Sequence, residues 1–136
     1  SNKIEEKLIK TAKNIAEKLN YIGVLTIEFF IDDKKNIYVN EMAPRVHNSG
    51  HITQDTFNFS QFDMHIFTIF NKRLPNLTRI NAGLMLNLIG EDINNSKKIS
   101  LKKSYSKFKK NKIYNYGKKT VKCDRKMGHI NFFSNK

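Results

Sequence analysis

Tryptophan is absent from these 136 residues, cysteine occurs once (Cys123) and proline twice (Pro44 and Pro75). A lone thiol has no partner for an internal disulfide, so covalent bracing is excluded and a reducing cytoplasm is the expected location. No apolar run approaches the roughly 20 residues that span a bilayer, which argues against a membrane-crossing helix. The first residues, Ser1 to Glu6, lead into a helical pattern rather than an apolar leader, so no signal peptide is expected. Without one, the glycosylation sequons at Asn58, Asn76 and Asn94 read as chance matches in an Asn-rich chain. The six glycines form neither a Walker-type nor a dinucleotide-type loop. No serine or cysteine sits in a recognisable nucleophile setting, since Cys123 lies between Lys122 and Asp124 with no apparent base. Internal repeats and Pro-rich linkers are missing too.

Acid is scarce in the last third. Residues 1–93 balance 11 Lys/Arg against 11 Asp/Glu, whereas residues 94–136 hold 14 Lys/Arg and the single acid Asp124. The whole net charge of +13 therefore lies in that last segment. Such a block attracts phosphate, on a nucleic acid, an anionic surface or a metabolite. The blander reading is compositional, with lysine occupying solvated positions in a Lys/Asn/Ile-rich chain. What is present is enough for one modest core: 39% hydrophobic and 11% aromatic residues place the chain among folded proteins.

Ile4, Leu8, Ala12, Ile15, Ala16 and Leu19 recur at helical spacing, which predicts a surface helix over 3–19 ended by Asn20 and Gly23. Residues 22–31 and 36–42 read as strands joined by the turn Asp32–Asn36 into an antiparallel hairpin, with Pro44 stopping the second. Ser60-Gln-Phe-Asp63 resembles a capping box and opens a helix to about Phe70, with Phe62, Ile66, Phe67 and Phe70 as its apolar stripe. His65 within it reads as a polar helix-face residue. Leu74-Pro-Asn76 is a break, and residues 82–90 read as a buried strand. Residues 91–112 are expected to be a loop or irregular insertion, and 113–116 and 127–133 closing strands.

Chemistry concentrates in residues 40–51, Asn-Glu-Met-Ala-Pro-Arg-Val-His-Asn-Ser-Gly-His, together with Glu28 on the preceding strand. The hairpin could set Glu28 beside Glu41. Paired carboxylates repel unless a cation lies between them, and hard oxygen donors suit Mg²⁺. Each could equally face solvent on an edge strand. In the loop, His47 and His51 are four apart, but Ser49 and Gly50 argue against a helix and against a zinc site of the helical metalloprotease kind. Arg45 and the backbone N–H groups at Ser49-Gly50 could bind a phosphorylated ligand, or the loop could be a self-satisfied turn. Tyr116-Gly-Lys-Lys119 and Arg125-Lys-Met-Gly-His129 add Lys118 and Arg125 at strand ends, which alone could be a solvated basic hairpin.

These strings, in order, with Gly23–Phe30, Ser60-Gln-Phe62 and Leu86-Asn-Leu-Ile-Gly90, resemble the last third of the N5-carboxyaminoimidazole ribonucleotide synthetases. These are ATP-grasp ligases of purine biosynthesis, also called the ATPase subunit of phosphoribosylaminoimidazole carboxylase. The resemblance implies an α+β fold: the C-terminal part of an ATP-grasp domain over 1–80, antiparallel sheet with flanking helices, then a small β-rich domain over 81–136. It implies ATP, bicarbonate and aminoimidazole ribonucleotide as ligands, with Mg²⁺ (or Mn²⁺) held by Glu28 and Glu41 and Asn40 beside the nucleotide. Arg45, His47, Asn48 and Ser49 would form the bicarbonate and substrate loop, and Lys118 and Arg125 would grip the ribonucleotide phosphate. The family's N-terminal domain and lid have no counterpart in these residues. The expectation is a C-terminal fragment that does not turn over ATP alone and works as a homodimer or with a partner N-terminal half. Residues 97–112 are more basic than the family pattern needs. The rival is a small basic nucleic-acid-binding module, in which Tyr105, Phe108, Tyr114 and Tyr116 stack bases among lysines.

Overall fold

The computed structural model describes residues 2–135. In chain order its elements are α1 (Asn2–Lys18), β1 (Thr26–Ile31), β2 (Ile37–Ala43), α2 (Thr53–Thr56), α3 (Gln61–Ile69), β3 (Asn81–Ile89), α4 (Ser96–Ser100), β4 (Lys110–Asn115) and β5 (Lys126–Asn135). Tight 3₁₀ turns occupy Asn48–Gly50, Gly90–Ile93 and Lys103–Tyr105. The chain divides into two compact units, one running to Gly50 and including Gln61–Asn76, the other made of His51–Ser60 and residues from Leu77 on.

In the first unit α1 half-buries Ile4, Leu8, Ala12, Ile15 and Ala16 at the expected spacing. Leu19, counted in that stripe from sequence, is instead 58% exposed, because the helix has already ended and Asn20 turns the chain with φ +48°. β1 and β2 form the expected antiparallel hairpin. Its turn is fastened by Asp32, whose carboxylate accepts hydrogen bonds from the Asn36 backbone (2.7 Å) and side-chain amide (2.9 Å). Those amide contacts hold the Asp32 carboxyl below its usual range. The apolar stripe expected on α3 is mostly uncovered, with Phe62, Ile66 and Phe70 exposed and Gln61 the buried residue.

The second unit holds the core. β3, β5 and β4 form a three-stranded antiparallel sheet with β5 in the centre. Alternation along β5 separates two faces. Ile130 and Phe132 lie on one with Leu88, packed against Leu86, Ile93, Ile99, Tyr105, Phe108 and Ile113. His129 and Asn131 lie on the other, paired in register with Asn87 and Met85 of β3 and Tyr114 and Lys112 of β4. The stretch 91–112, expected to be irregular, contains α4, a 3₁₀ turn and the start of β4, and its aromatics cover the core. Its apolar residues are spaced unevenly, so no period announces them. Gly128 is fixed by proximity, since a Cβ there would collide with the Tyr114 carbonyl oxygen of the neighbouring strand. Among the described residues no helix is long and apolar enough to cross a membrane.

Candidate functional site

The first unit brings Glu28, Asn40, Glu41, His47 and Ser49 together. Glu28 stands directly opposite Glu41 in the hairpin register, as the sequence suggested. The next pair is Phe29 with Val39, so Asn40 is an extra residue on β2. A bulge of this kind re-aims side chains, and here it sets both Asn40 and Glu41 against Glu28. The Asn40 amide donates to Glu28 Oε2 at 3.4 Å. The His47 imidazole spans the pair, with Nδ1 3.7 Å from Glu28 Oε1 and Nε2 3.6 Å from Glu41 Oε1. His47 Nδ1 also meets Ser49 Oγ at 2.9 Å.

Strand geometry alone would not hold that loop. Gln61, buried at the start of α3, clamps the His47 peptide from both sides: His47 N donates to Gln61 Oε1 (2.9 Å), and Gln61 Nε2 donates to His47 O (2.8 Å). Gly50 is required alongside, because a Cβ there would run into the Gln61 amide. Sequence reading placed Gln61 inside a capping box and missed this role. Its place in the Ser60-Gln-Phe62 string was a hint, but no local pattern ties it to His47. Asn48 opens the 3₁₀ turn that carries Ser49. Arg45 is exposed, its guanidinium donating to the Val46 carbonyl at 2.9 Å.

Both Lys118 and Arg125 sit on the β4–β5 loop of the second unit. Lys118 Nζ donates to the Lys126 carbonyl and lies 5.5 Å from the centre of the Tyr116 ring. Arg125 is exposed and donates to the Thr120 carbonyl at 3.4 Å. This unit also contains a buried polar cluster that sequence reading did not assemble. His129 is 2% exposed, accepts or donates a 2.9 Å hydrogen bond at Nδ1 with Tyr116 Oη, and stacks with the rings of Tyr114 (4.5 Å) and His51 (5.1 Å). Burial, then the neighbouring His51, push its imidazole down to about 4. Burial likewise raises the Tyr114 and Tyr116 hydroxyls.

The same contacts remove the support for the nucleic-acid reading. Tyr105 stacks on Phe132 at 4.3 Å and Phe108 tilts against the same ring, while Tyr114 and Tyr116 are engaged with His129. Those four rings pack within the fold and none of them is fully exposed, which weakens them as a platform for bases.

The chain is similar to known proteins along nearly all of its length. Residues 1–62 match the ATP-grasp domain, and residues 83–136 match the phosphoribosylaminoimidazole carboxylase C-terminal domain. The N5-carboxyaminoimidazole ribonucleotide synthase of Staphylococcus epidermidis is 40% identical over 127 residues, 93% of this chain but 32% of that protein. The chain thus spans about a third of the length of the curated relatives it matches. Among solved structures, an ADP complex of an N5-carboxyaminoimidazole ribonucleotide synthetase superposes with TM-score 0.85 at 35% identity, covering 100% of this chain and 35% of that one. The Aspergillus clavatus enzyme in complex with ADP and 5-aminoimidazole ribonucleotide superposes with TM-score 0.71 at 31% identity, covering 83% of this chain and 30% of that one. With both domains matched in order, and the α+β architecture of helix-flanked antiparallel sheets in agreement, the chain belongs to the N5-carboxyaminoimidazole ribonucleotide synthase family of ATP-grasp proteins.

Proposed function

We propose that this chain provides the metal-holding and substrate-loop residues of an ATP-dependent ligase. That ligase carboxylates aminoimidazole ribonucleotide with bicarbonate, giving N5-carboxyaminoimidazole ribonucleotide in purine biosynthesis. The observation that carries the reading is the bulged hairpin that sets Glu28, Asn40 and Glu41 on one another. Carboxylates placed face to face repel, and the cost is offset when a cation joins them. The donor set fits Mg²⁺. Mg²⁺ is typically held by one or two carboxylates and completes its shell with waters and phosphate oxygens, so a third protein ligand is not needed. Among the described residues no group of three or more His, Cys, Asp or Glu is arranged to hold a metal, so water and phosphate oxygens would have to complete the shell.

In the reaction, a bicarbonate oxygen attacks the γ-phosphorus of ATP and ADP leaves. The exocyclic amine then attacks the carboxyl carbon of carboxyphosphate, or CO₂ released from it, and phosphate departs as the amine loses a proton. Mg²⁺ would supply charge neutralisation on the phosphates. Glu28 and Glu41 would hold it, with the Asn40 amide donating to Glu28. Arg45, His47, Asn48 and Ser49 form the loop for bicarbonate and substrate: the cation offsets developing negative charge, and the clamped His47 peptide keeps the imidazole in place. Lys118 and Arg125 would exchange their backbone acceptors for the ribonucleotide phosphate, a stronger partner because it is charged. ATP and Mg²⁺ are the co-substrate and cofactor on this reading.

The test is a set of titrations of the chain followed by amide resonances. Mg²⁺ with ADP should perturb the β1–β2 hairpin, and aminoimidazole ribonucleotide should perturb the β4–β5 loop. Glu41→Gln should weaken the Mg²⁺-dependent response by about tenfold or more. Saturable binding of an arbitrary single-stranded oligonucleotide with a steep salt dependence, and no response to Mg²⁺–ADP, would favour the basic-module reading instead.

A further inference from the structure

The buried polar face of β5 is built around one residue, His51, which closes the 40–51 string. Its ring stacks on His129 with planes 29° apart and meets Tyr116 edge-on at 6.0 Å. Its backbone carbonyl accepts a hydrogen bond from Asn131 Nδ2 at 3.2 Å. Asn131 Nδ2 also donates to Asp55 Oδ2 at 2.8 Å, and the same oxygen accepts from Tyr114 Oη at 2.9 Å. Tyr114 in turn stacks on His129, planes 14° apart. The contacts therefore close a ring: His51, His129, Tyr114, Asp55, Asn131 and back to His51.

A core selected for stability alone would not be made this way. Among the described residues His129 Nε2 and Asn131 Oδ1 are buried without a hydrogen-bond partner, at a cost of about 1–3 kcal/mol for each such group. Apolar residues of similar volume would avoid it. The opposite face of the same strand, with Ile130 and Phe132, is the ordinary apolar solution. What the polar face achieves is a fixed ring and a fixed carbonyl at His51, which is itself only half-buried.

We propose that His129 is a positioning residue that, through its stack on His51, holds the His51 imidazole in one orientation as part of the surface that binds aminoimidazole ribonucleotide. This rests on the reading of residues 40–51 as the substrate loop. His129 suits the task because it stays uncharged, its affinity for a proton being lowered first by burial and then by His51. A charged ring beneath His51 would repel His51 whenever His51 took a proton. The hydrogen bond to Tyr116 fixes the rotation of the His129 ring, and the stack with Tyr114 adds support.

The experiment compares the full chain with His129→Leu and His129→Phe, using side-chain imidazole resonances and titration with aminoimidazole ribonucleotide. The leucine variant removes the ring but not the volume, so it should fold at least as stably as the parent. It should nevertheless lose the single His51 conformation and bind the ribonucleotide about tenfold more weakly. The phenylalanine variant restores a ring for the stack but not the hydrogen bond to Tyr116, and should recover both in part. Unchanged His51 signals and unchanged affinity in a folded leucine variant would overturn the proposal. Should that variant fail to fold, Tyr116→Phe deletes a single oxygen and gives the same readout: broadened His51 signals support the proposal and unaltered ones overturn it. If His51 order follows the ring at 129 while the ribonucleotide perturbs no residue of the second unit, positioning stands and the substrate reading of the loop falls.

Discussion

Gln61 illustrates how a residue remote in sequence can govern a loop. Its two hydrogen bonds to the His47 peptide join positions 14 apart, and its amide occupies the space a side chain at 50 would need. Gln61→Ala is expected to destabilise the chain by about 1–2 kcal/mol and to speed amide exchange at His47 and Gly50 while leaving β5 protected, as hydrogen exchange would reveal. His129 makes a pH prediction. Its folded-state value, about 4, lies below the ordinary 6.5, so the unfolded chain takes up a proton first. Its contribution is complete above pH 6.5 and is lost as pH falls towards 4, by up to about 3 kcal/mol. Denaturant unfolding across that window should show the loss, and His129→Leu should flatten it. The polar residues of 40–51 were legible because they are dense and ordered as a string. Gln61, Asp55 and Asn131 were not, since their partners lie 14, 59 and 80 positions away and no local pattern records such pairings.

At the scale of elements, the hairpin and the three closing strands could be read from period-2 patterns and turn residues, and their boundaries fell within a few residues of the observed ones. The bulges could not. One sets Asn40 and Glu41 jointly against Glu28; the other lies where Leu88 pairs with Gly128 and Ile89 with Lys126, leaving Met127 extra. A bulge depends on how two strands meet, and the sequence of either strand alone carries no period for it. The 91–108 segment escaped recognition for a related reason: its contacts with Leu88, Ile130 and Phe132 are tertiary and its helices are a turn or so long. Gly128 tests the packing of the second sheet. Gly128→Ala places a methyl group against the Tyr114 carbonyl, in backbone that cannot swing aside, and should lower stability by about 1–3 kcal/mol in thermal or denaturant unfolding.

For the molecule as a whole, the two units differ in what they bury. The second contains Leu88, Met127, Ile130 and Phe132, each at most 1% exposed, whereas the first leaves Ile22, Phe30, Tyr38, Met42, Ile66 and Phe70 open. Family membership covers both units, and most of the described lysines of residues 97–126 are exposed beside a core that has taken up their neighbouring aromatics. The central claim concerns the bulged hairpin as the metal end of an ATP-grasp site. Its most direct test is paramagnetic: Mn²⁺, standing in for Mg²⁺, is added with ADP to the isotope-labelled chain, and line broadening is mapped residue by residue. The account predicts broadening centred on Glu28, Asn40 and Glu41 and abolished in the Glu28→Gln, Glu41→Gln double variant. Broadening centred elsewhere, or retained in that variant, would contradict it.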